Sequence, residues 1–270
     1  MPHISNKDSV SIHYETLGSG PPLVFVHGWS FSGSVWRFQK EALSNRYQCV
    51  CMDLRGHGQS SAPATGYALD DFASDLTALF ERLDLSRASI LGWSLGALVA
   101  LAAHRELRER LASLVLVSGT SRFVACEGYP HGLPSKEPRG LALRLKRNPQ
   151  QAMDAFFRGM FTPEELAGNA FKHIEKEVVL PSQSAALQSL ETLASADVRY
   201  MLSSVQLPVL LVHGDRDTVC PADASRYMAE MLPCASLAIL EGAGHAPMLT
   251  RRSEFDCLVG SFLERVYGTD

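Results

Sequence analysis

Three four-residue runs carry no polar side chain at all: Leu-Val-Phe-Val at 23–26, Leu-Val-Leu-Val at 114–117 and Val-Leu-Leu-Val at 209–212. A strand with one wet face alternates apolar and polar residues, so unbroken runs of this kind predict strands covered on both faces. Helices provide that cover, and strands joined through helices lie parallel. Strands are accordingly expected at 10–15, 22–28, 47–54, 88–93, 113–119, 208–215 and 236–242. Between them, amphipathic spacing predicts helices at Leu69–Leu83, Leu95–Leu107, Pro221–Met231 and Ser253–Val266. In the last of these Phe255, Leu258, Val259 and Phe262 recur at helical intervals, with Ser253 the expected N-cap. The fold class expected is α/β, with a mostly parallel central sheet flanked by helices.

The alternation breaks between residues 121 and 189. That stretch holds Pro130, Pro134, Pro138, Pro149, Pro163 and Pro181, with helical segments between them and no convincing strand. Because the strand pattern resumes at Pro208, an inserted helical lid over 121–189 accounts for the break better than a separate domain. Residues 1–120 and 190–270 are then one core, a division that suits a chain of 270 residues.

The formal net charge of −4 argues against nucleic acid as a partner. The first residues contain no apolar stretch of signal-peptide length, and nowhere do 18 uncharged apolar residues follow one another, so a cytoplasmic protein that does not enter a membrane is expected. The cysteines Cys49, Cys51, Cys126, Cys220, Cys234 and Cys257 include no C-x-x-C pair. Free thiols buried as small hydrophobes are expected, rather than a zinc site or disulfides.

The chemistry concentrates at three places. Ile90–Ala100 reads ILGWSLGALVA, which sets Ser94 between Gly92 and Gly96 on a tight strand-to-helix turn. A serine hydroxyl is a weak nucleophile and needs a base, which in turn needs an orienting group. His245 follows the strand at 236–242, and the acidic pair Asp215 and Asp217 follows the strand at 208–215. Functional groups in parallel sheets gather at the carboxyl ends of strands, so these loops can meet on one edge. An acyl transfer also needs donors for the developing oxyanion, and the N–H of Leu95, directly after the serine, is one. His27 and His57 are read as loop organisers. His104, His131, His173 and His213 lack ligand spacing, so no metal and no cofactor is expected.

His27-Gly28-Trp29, the D-x-R-G-x-G-x-S run from Asp53 to Ser60, G-x-S-x-G at 92–96, G-x-x-D at 214–217 and Gly-His-Ala-Pro at 244–247 together resemble the α/β-hydrolase family, whose chain order is nucleophile, acid, base. The resemblance implies that fold with an inserted lid, a serine esterase activity without cofactor, Ser94 as nucleophile, Asp217 rather than Asp215 as the orienting acid, and His245 as general base. It assigns the second oxyanion donor to the N–H of Trp29. Within the family, LVFVHGWSFSGSVWR, GWSLGALVA and GHAPMLTRRSEF are similar to the esterases that remove the methyl ester from a pimeloyl chain on acyl carrier protein in biotin synthesis. This implies a monomeric enzyme with that acidic carrier as its partner.

The lid bears on the same point. Between Lys136 and Arg158 six basic residues face two acidic ones, a net of +4 in a chain whose total is −4. A basic lid on an acidic body suits an acidic partner, with Arg139, Arg144, Arg147 and Arg158 the candidate contacts. Leu141, Leu143, Leu145 and Phe161 are expected to face inward. Trp29, Phe156, Phe157 and Met160 are the candidate substrate-binding residues. Two other readings remain in view: a carboxylesterase for small short-chain esters with no protein partner, and a ligand receptor on a hydrolase scaffold. The second is disfavoured because serine, acid and histidine are all retained. Dehalogenase and epoxide hydrolase chemistry would need an aspartate at position 94.

Overall fold

The computed structural model describes residues 2–6, 8–168 and 180–268. Among them eight strands form one sheet: His3–Ser5 (β1), Ser11–Leu17 (β2), Pro22–Val26 (β3), Gln48–Met52 (β4), Ala88–Trp93 (β5), Leu111–Val117 (β6), Val209–Gly214 (β7) and Ala235–Leu240 (β8). Their spatial order is β1-β2-β4-β3-β5-β6-β7-β8. β1–β2 and β2–β4 are antiparallel and every other pair is parallel. Seven strands lie where the pattern placed them. The eighth, β1, has only three residues, too short for any periodicity, and exists because Ile4 pairs with Ile12 at the sheet edge.

The fully apolar runs occupy the middle. Every residue of β5 and β7 is buried, whereas β8, at the edge, is half-buried along most of its length. The chain moves outward from β3 to β4 on one side and from β3 to β5, β6, β7 and β8 on the other. This reversal opens a crevice at the carboxyl ends of β3 and β5, the place where open α/β sheets bind ligands. Trp29 follows the first of these strands and Ser94 the second.

Helices Arg37–Leu43 (α1), Leu69–Arg82 (α2) and Leu95–Leu107 (α3) connect the first half. Between β6 and β7 come Lys136–Arg147 (α4), Pro149–Gly159 (α5), Pro163–Ala167 (α6) and Gln183–Ser195 (α7). Asn148 starts α5 by accepting the Gln151 N–H, with Pro149 in the first turn where its missing N–H costs nothing. Arg122 and Asp197 close the base of this segment at 2.6 Å, and Arg199 joins the same carboxylate at 2.7 Å. Ala222–Met231 (α8), Pro247–Thr250 (α9) and Arg252–Tyr267 (α10) complete the chain.

Three expectations need correcting. α10 starts at Arg252, with Arg251 preceding it, so Ser253 lies inside the first turn and does not cap the helix. Leu143 is 68% exposed while Leu141 and Leu145 are buried. Positions 141 and 145 share a face one turn apart, and 143 falls on the opposite side. Among the cysteines, all free, Cys49, Cys51 and Cys220 are buried, but Cys126 is half-buried and Cys234 and Cys257 are exposed. Cys257 lies two residues from buried Phe255, on the wet face of α10.

The turn from Asp53 to Ser60 braces the crevice from behind. The Asp53 carboxylate accepts the N–H groups of Gly33 at 2.6 Å and Gln59 at 2.8 Å, and His27 Nε2 accepts the Leu54 N–H at 2.9 Å. Arg55 makes a buried two-point contact with Asp75, at 2.6 and 2.8 Å. Burial, joined by neighbouring His27, pushes the His57 imidazole down to about 3, so it packs here as a neutral ring.

Candidate active site

Ser94 sits between the end of β5 and the start of α3 at φ 54° and ψ −113°. A residue with a Cβ pays about 1–3 kcal/mol for such a conformation. The neighbours make it tolerable: a side chain at Gly92 would run into the Gly96 carbonyl, and one at Gly96 into the Val26 carbonyl. The two glycines therefore let β5, α3 and β3 close to backbone contact. The Ser94 N–H donates to the Val117 carbonyl at 2.9 Å, which ties the turn to β6. Leu95 opens the helix, so its N–H belongs to the first turn, whose amides lack intrahelical acceptors.

The loop after β7 brings Asp217 to His245. Oδ2 accepts His245 Nδ1–H at 2.7 Å and His213 Nε2–H at 3.1 Å, while Oδ1 accepts the N–H groups of Val219 at 2.8 Å and Cys220 at 2.9 Å. Burial alone would push this carboxyl up. The His245 charge and the hydrogen bonds from His213 and His245 outweigh it and hold Asp217 well below the usual carboxylate range. Asp215 turns elsewhere: its Oδ1 accepts the Gly242 N–H at 2.6 Å and shapes the loop after β8.

His245 is itself 1% exposed. The Trp93 indole, adjacent to Ser94 in the chain, donates to the His245 carbonyl at 2.8 Å, and the two rings lie 5.5 Å apart between centroids. The serine turn and the histidine loop are thus fastened to each other. From the opposite side, the Met160 carbonyl accepts the His245 N–H at 2.8 Å, and Thr218 Oγ1 donates to the Gly159 carbonyl at 2.8 Å.

The remaining candidates fall in different places. Trp29 is 2% exposed; its Nε1–H reaches the Ala186 carbonyl at 3.1 Å and Ser189 Oγ at 3.0 Å, both on α7, and its ring meets Phe156 edge-on at 4.8 Å. Phe156 also lines a cavity of ≈ 590 Å³, together with Leu133, Leu141, Ala152, Val219 and the polar Glu137, Arg144 and Thr218. Phe157 packs on Phe31 and Phe161, and Met160 is buried in the core. Arg139, Arg144, Arg147 and Arg158 are exposed on α4 and α5. His104 is buried on α3 and His131 stacks on Tyr227, while His173 lies outside the described residues.

Two participants were not singled out from sequence. His213 donates to Asp217 and Cys220 through Nε2 and accepts from Ser225 Oγ through Nδ1 at 2.7 Å, so it is built into the acid's support. Its position four residues before Asp217 was visible, but nothing local distinguishes it from a core histidine. Glu165 bonds to the histidine loop from α6. Thr162-x-x-Glu165 is readable as a capping box, yet that motif says nothing of a partner 79 residues away.

The arrangement has relatives. A family model described as the alpha/beta hydrolase fold matches residues 21–251. The chain is 35% identical over 248 residues to a pimeloyl-[acyl-carrier protein] methyl ester esterase from Nitrosomonas europaea, covering 91% of this chain and 96% of that one. Among solved structures it is similar to an esterase from Exiguobacterium antarcticum, with a TM-score of 0.91 at 29% identity, covering 97% of this chain and 98% of that one. It is equally similar in shape to a bromoperoxidase from Bacillus anthracis, with a TM-score of 0.91 at 26% identity, covering 97% and 100%. The crevice, the serine turn and this match over most of the length lead to one conclusion: the chain belongs to the α/β-hydrolase family and is a hydrolase.

Proposed function

We propose that the protein is a serine carboxylesterase that hydrolyses the methyl ester of a pimeloyl chain borne on acyl carrier protein. The buried contact between His245 and Asp217, fastened through Trp93 to the Ser94 turn, carries the esterase part of this reading. With Nδ1–H committed to Asp217, Nε2 is the nitrogen left to take a proton from Ser94 Oγ. The alkoxide adds to the ester carbonyl, and the N–H groups of Trp29 and Leu95 hold the oxyanion. Collapse breaks the bond to methoxide, which leaves as methanol with the proton from His245. Water, deprotonated by the same imidazole, then cleaves the acyl-enzyme to the carboxylate and restores Ser94.

Residues 121–189 act in this reading as a lid over a core of 1–120 and 190–270. Trp29, Phe156, Phe157 and Met160 contribute the apolar wall beside the acyl chain. Support for the carrier comes from the esterase of that name at 35% identity and from the face of α4. Arg139, Arg144 and Arg147 are exposed there around Leu143, a basic surface with an apolar centre suited to an acidic protein.

The test compares the carrier-bound methyl ester with p-nitrophenyl butyrate. Ser94→Ala should abolish turnover of both. Arg144→Glu combined with Arg147→Glu should lower kcat/KM on the carrier substrate at least about tenfold more than on the small ester, and added salt should do likewise. Equal effects on both substrates would leave a carboxylesterase of small esters without a protein partner.

A further inference from the structure

A short helix of the insert, α6, is bonded to the loop that carries His245. Glu165, on α6, accepts the Gly244 N–H with both carboxylate oxygens at 3.2 Å, the Thr250 hydroxyl with Oε1 at 2.6 Å and the Thr162 N–H with Oε2 at 2.8 Å. Gly244 immediately precedes His245, and Thr250 ends the short helix that follows it. One side chain from the insert therefore grips the histidine loop on both sides of the imidazole. The fit is close: a Cβ at Gly244 would lie 2.8 Å from Glu165 Oε2.

We propose that Glu165 is a positioning residue for His245, and that the insert thereby completes the catalytic site in addition to covering it. This rests on the reading of His245 as general base. The loop lies between β8 and α9, beyond Leu240, the last residue of β8 paired to β7. From the core it is held by the Arg216 N–H on the Ala243 carbonyl at 3.0 Å, by Asp215 on the Gly242 N–H, by Asp217 on the His245 ring and by the Trp93 indole on the His245 carbonyl. On the insert side, among the described residues, Glu165 accepts from the loop beside the Met160 carbonyl. Without it the Gly244 N–H loses its acceptor and the Thr250 hydroxyl keeps only its longer contact to the Ala246 carbonyl at 3.4 Å, and the imidazole gains freedom where a displacement of about 1 Å costs up to about a hundredfold in rate.

Capping of α6 is the competing role, and the geometry separates the two. A glutamine can place Oε1 where Oε2 now accepts from Thr162 and Gly244, and donate through Nε2 to the Thr250 hydroxyl. Aspartate can still cap but is one methylene too short to reach Gly244 and Thr250 together. Thr162→Val removes the cap acceptor and leaves the loop contacts alone.

The experiment measures kcat, KM and Tm on p-nitrophenyl butyrate for Glu165→Ala, Glu165→Asp, Glu165→Gln and Thr162→Val, and follows the His245 Nδ1–H resonance by NMR. The expected result is a fall in kcat of about ten- to a hundredfold for Ala and Asp with KM within about twofold, recovery of most of the rate in Gln, and a lowered Tm with native kcat in Thr162→Val. Native kcat in Glu165→Asp, or losses of rate that simply follow Tm across all four, would overturn the positioning role. Should Glu165→Ala not fold, Glu165→Asp against Glu165→Gln decides. Absence of Ser94-dependent turnover in the native enzyme would refute the proposed function instead. The resonance still reads the loop then: an unchanged signal in Glu165→Asp refutes the positioning role without reference to activity.

Discussion

Replacing Asp217 by asparagine changes one oxygen into an NH₂ group at nearly constant volume, and the structure dictates where that group must go. The carboxylate accepts from the backbone N–H groups of Val219 and Cys220 on Oδ1 and from the two histidine N–H groups on Oδ2. An amide has one oxygen, and turning its NH₂ toward Val219 and Cys220 would oppose donors to two buried donors that cannot move. The oxygen therefore keeps the Oδ1 place, and the NH₂ faces His245. His245 can answer only by shifting its proton to Nε2 and accepting on Nδ1, which is the tautomer unable to take a proton from Ser94. Losses from this cause are about 10⁴-fold in kcat, roughly 5.5 kcal/mol of transition-state stabilisation. Steady-state hydrolysis of p-nitrophenyl butyrate by Asp217→Asn, with circular dichroism to verify the fold, measures it. Retention of more than about a tenth of the native kcat in a folded variant would refute the reasoning. So would an equal loss in Asp215→Asn, whose carboxylate holds Gly242 and not the imidazole.

The same carboxyl links stability to pH. Its folded pKa lies below the unfolded value, so its contribution is fully present above about pH 4 and fades as pH falls toward the folded pKa. The stability gap between native protein and Asp217→Asn in urea titrations should narrow on acidification, and a gap that widens would contradict the assignment. Arg55→Ala should destabilise by about 3–5 kcal/mol, because Asp75 stays buried with, among the described residues, Asn6 at 2.5 Å in place of a two-point guanidinium. Urea unfolding with a loss under about 1 kcal/mol, the range of exposed pairs, would show the site opens to water. In the native protein a thiol reagent should label Cys234 and Cys257 quickly and Cys49, Cys51 and Cys220 only on unfolding. Burial removes access to these three and pushes the Cys49 thiol up to about 12.

Much of the fold can be read locally. The apolar runs at 23–26, 114–117 and 209–212 contain the whole argument for a buried parallel sheet, because burial on both faces leaves its mark on every residue of the strand. A strand as short as β1 leaves no such mark, and Leu143 shows that an apolar residue alone does not say which face of a helix it occupies: it is exposed while Leu141 and Leu145 are buried. The Ser94 turn was legible for the same reason as the strands: its glycines answer to sterics within five residues.

Which groups meet across the crevice is a different kind of information. Asp215 and Asp217 are two residues apart on one loop, and their different partners follow from the packing of β7 against β8 and from the course of the chain after each strand. His213 shares the Asp217 carboxylate because the end of β7 brings its ring to the loop, and Glu165 meets Gly244 because α6 and the loop after β8, 79 residues apart in the chain, come together in the fold. Local periodicity is set by neighbours in the chain and is therefore written along it. Hydrogen bonds between segments tens of residues apart depend on the summed geometry of everything between them, and only the folded molecule decides them.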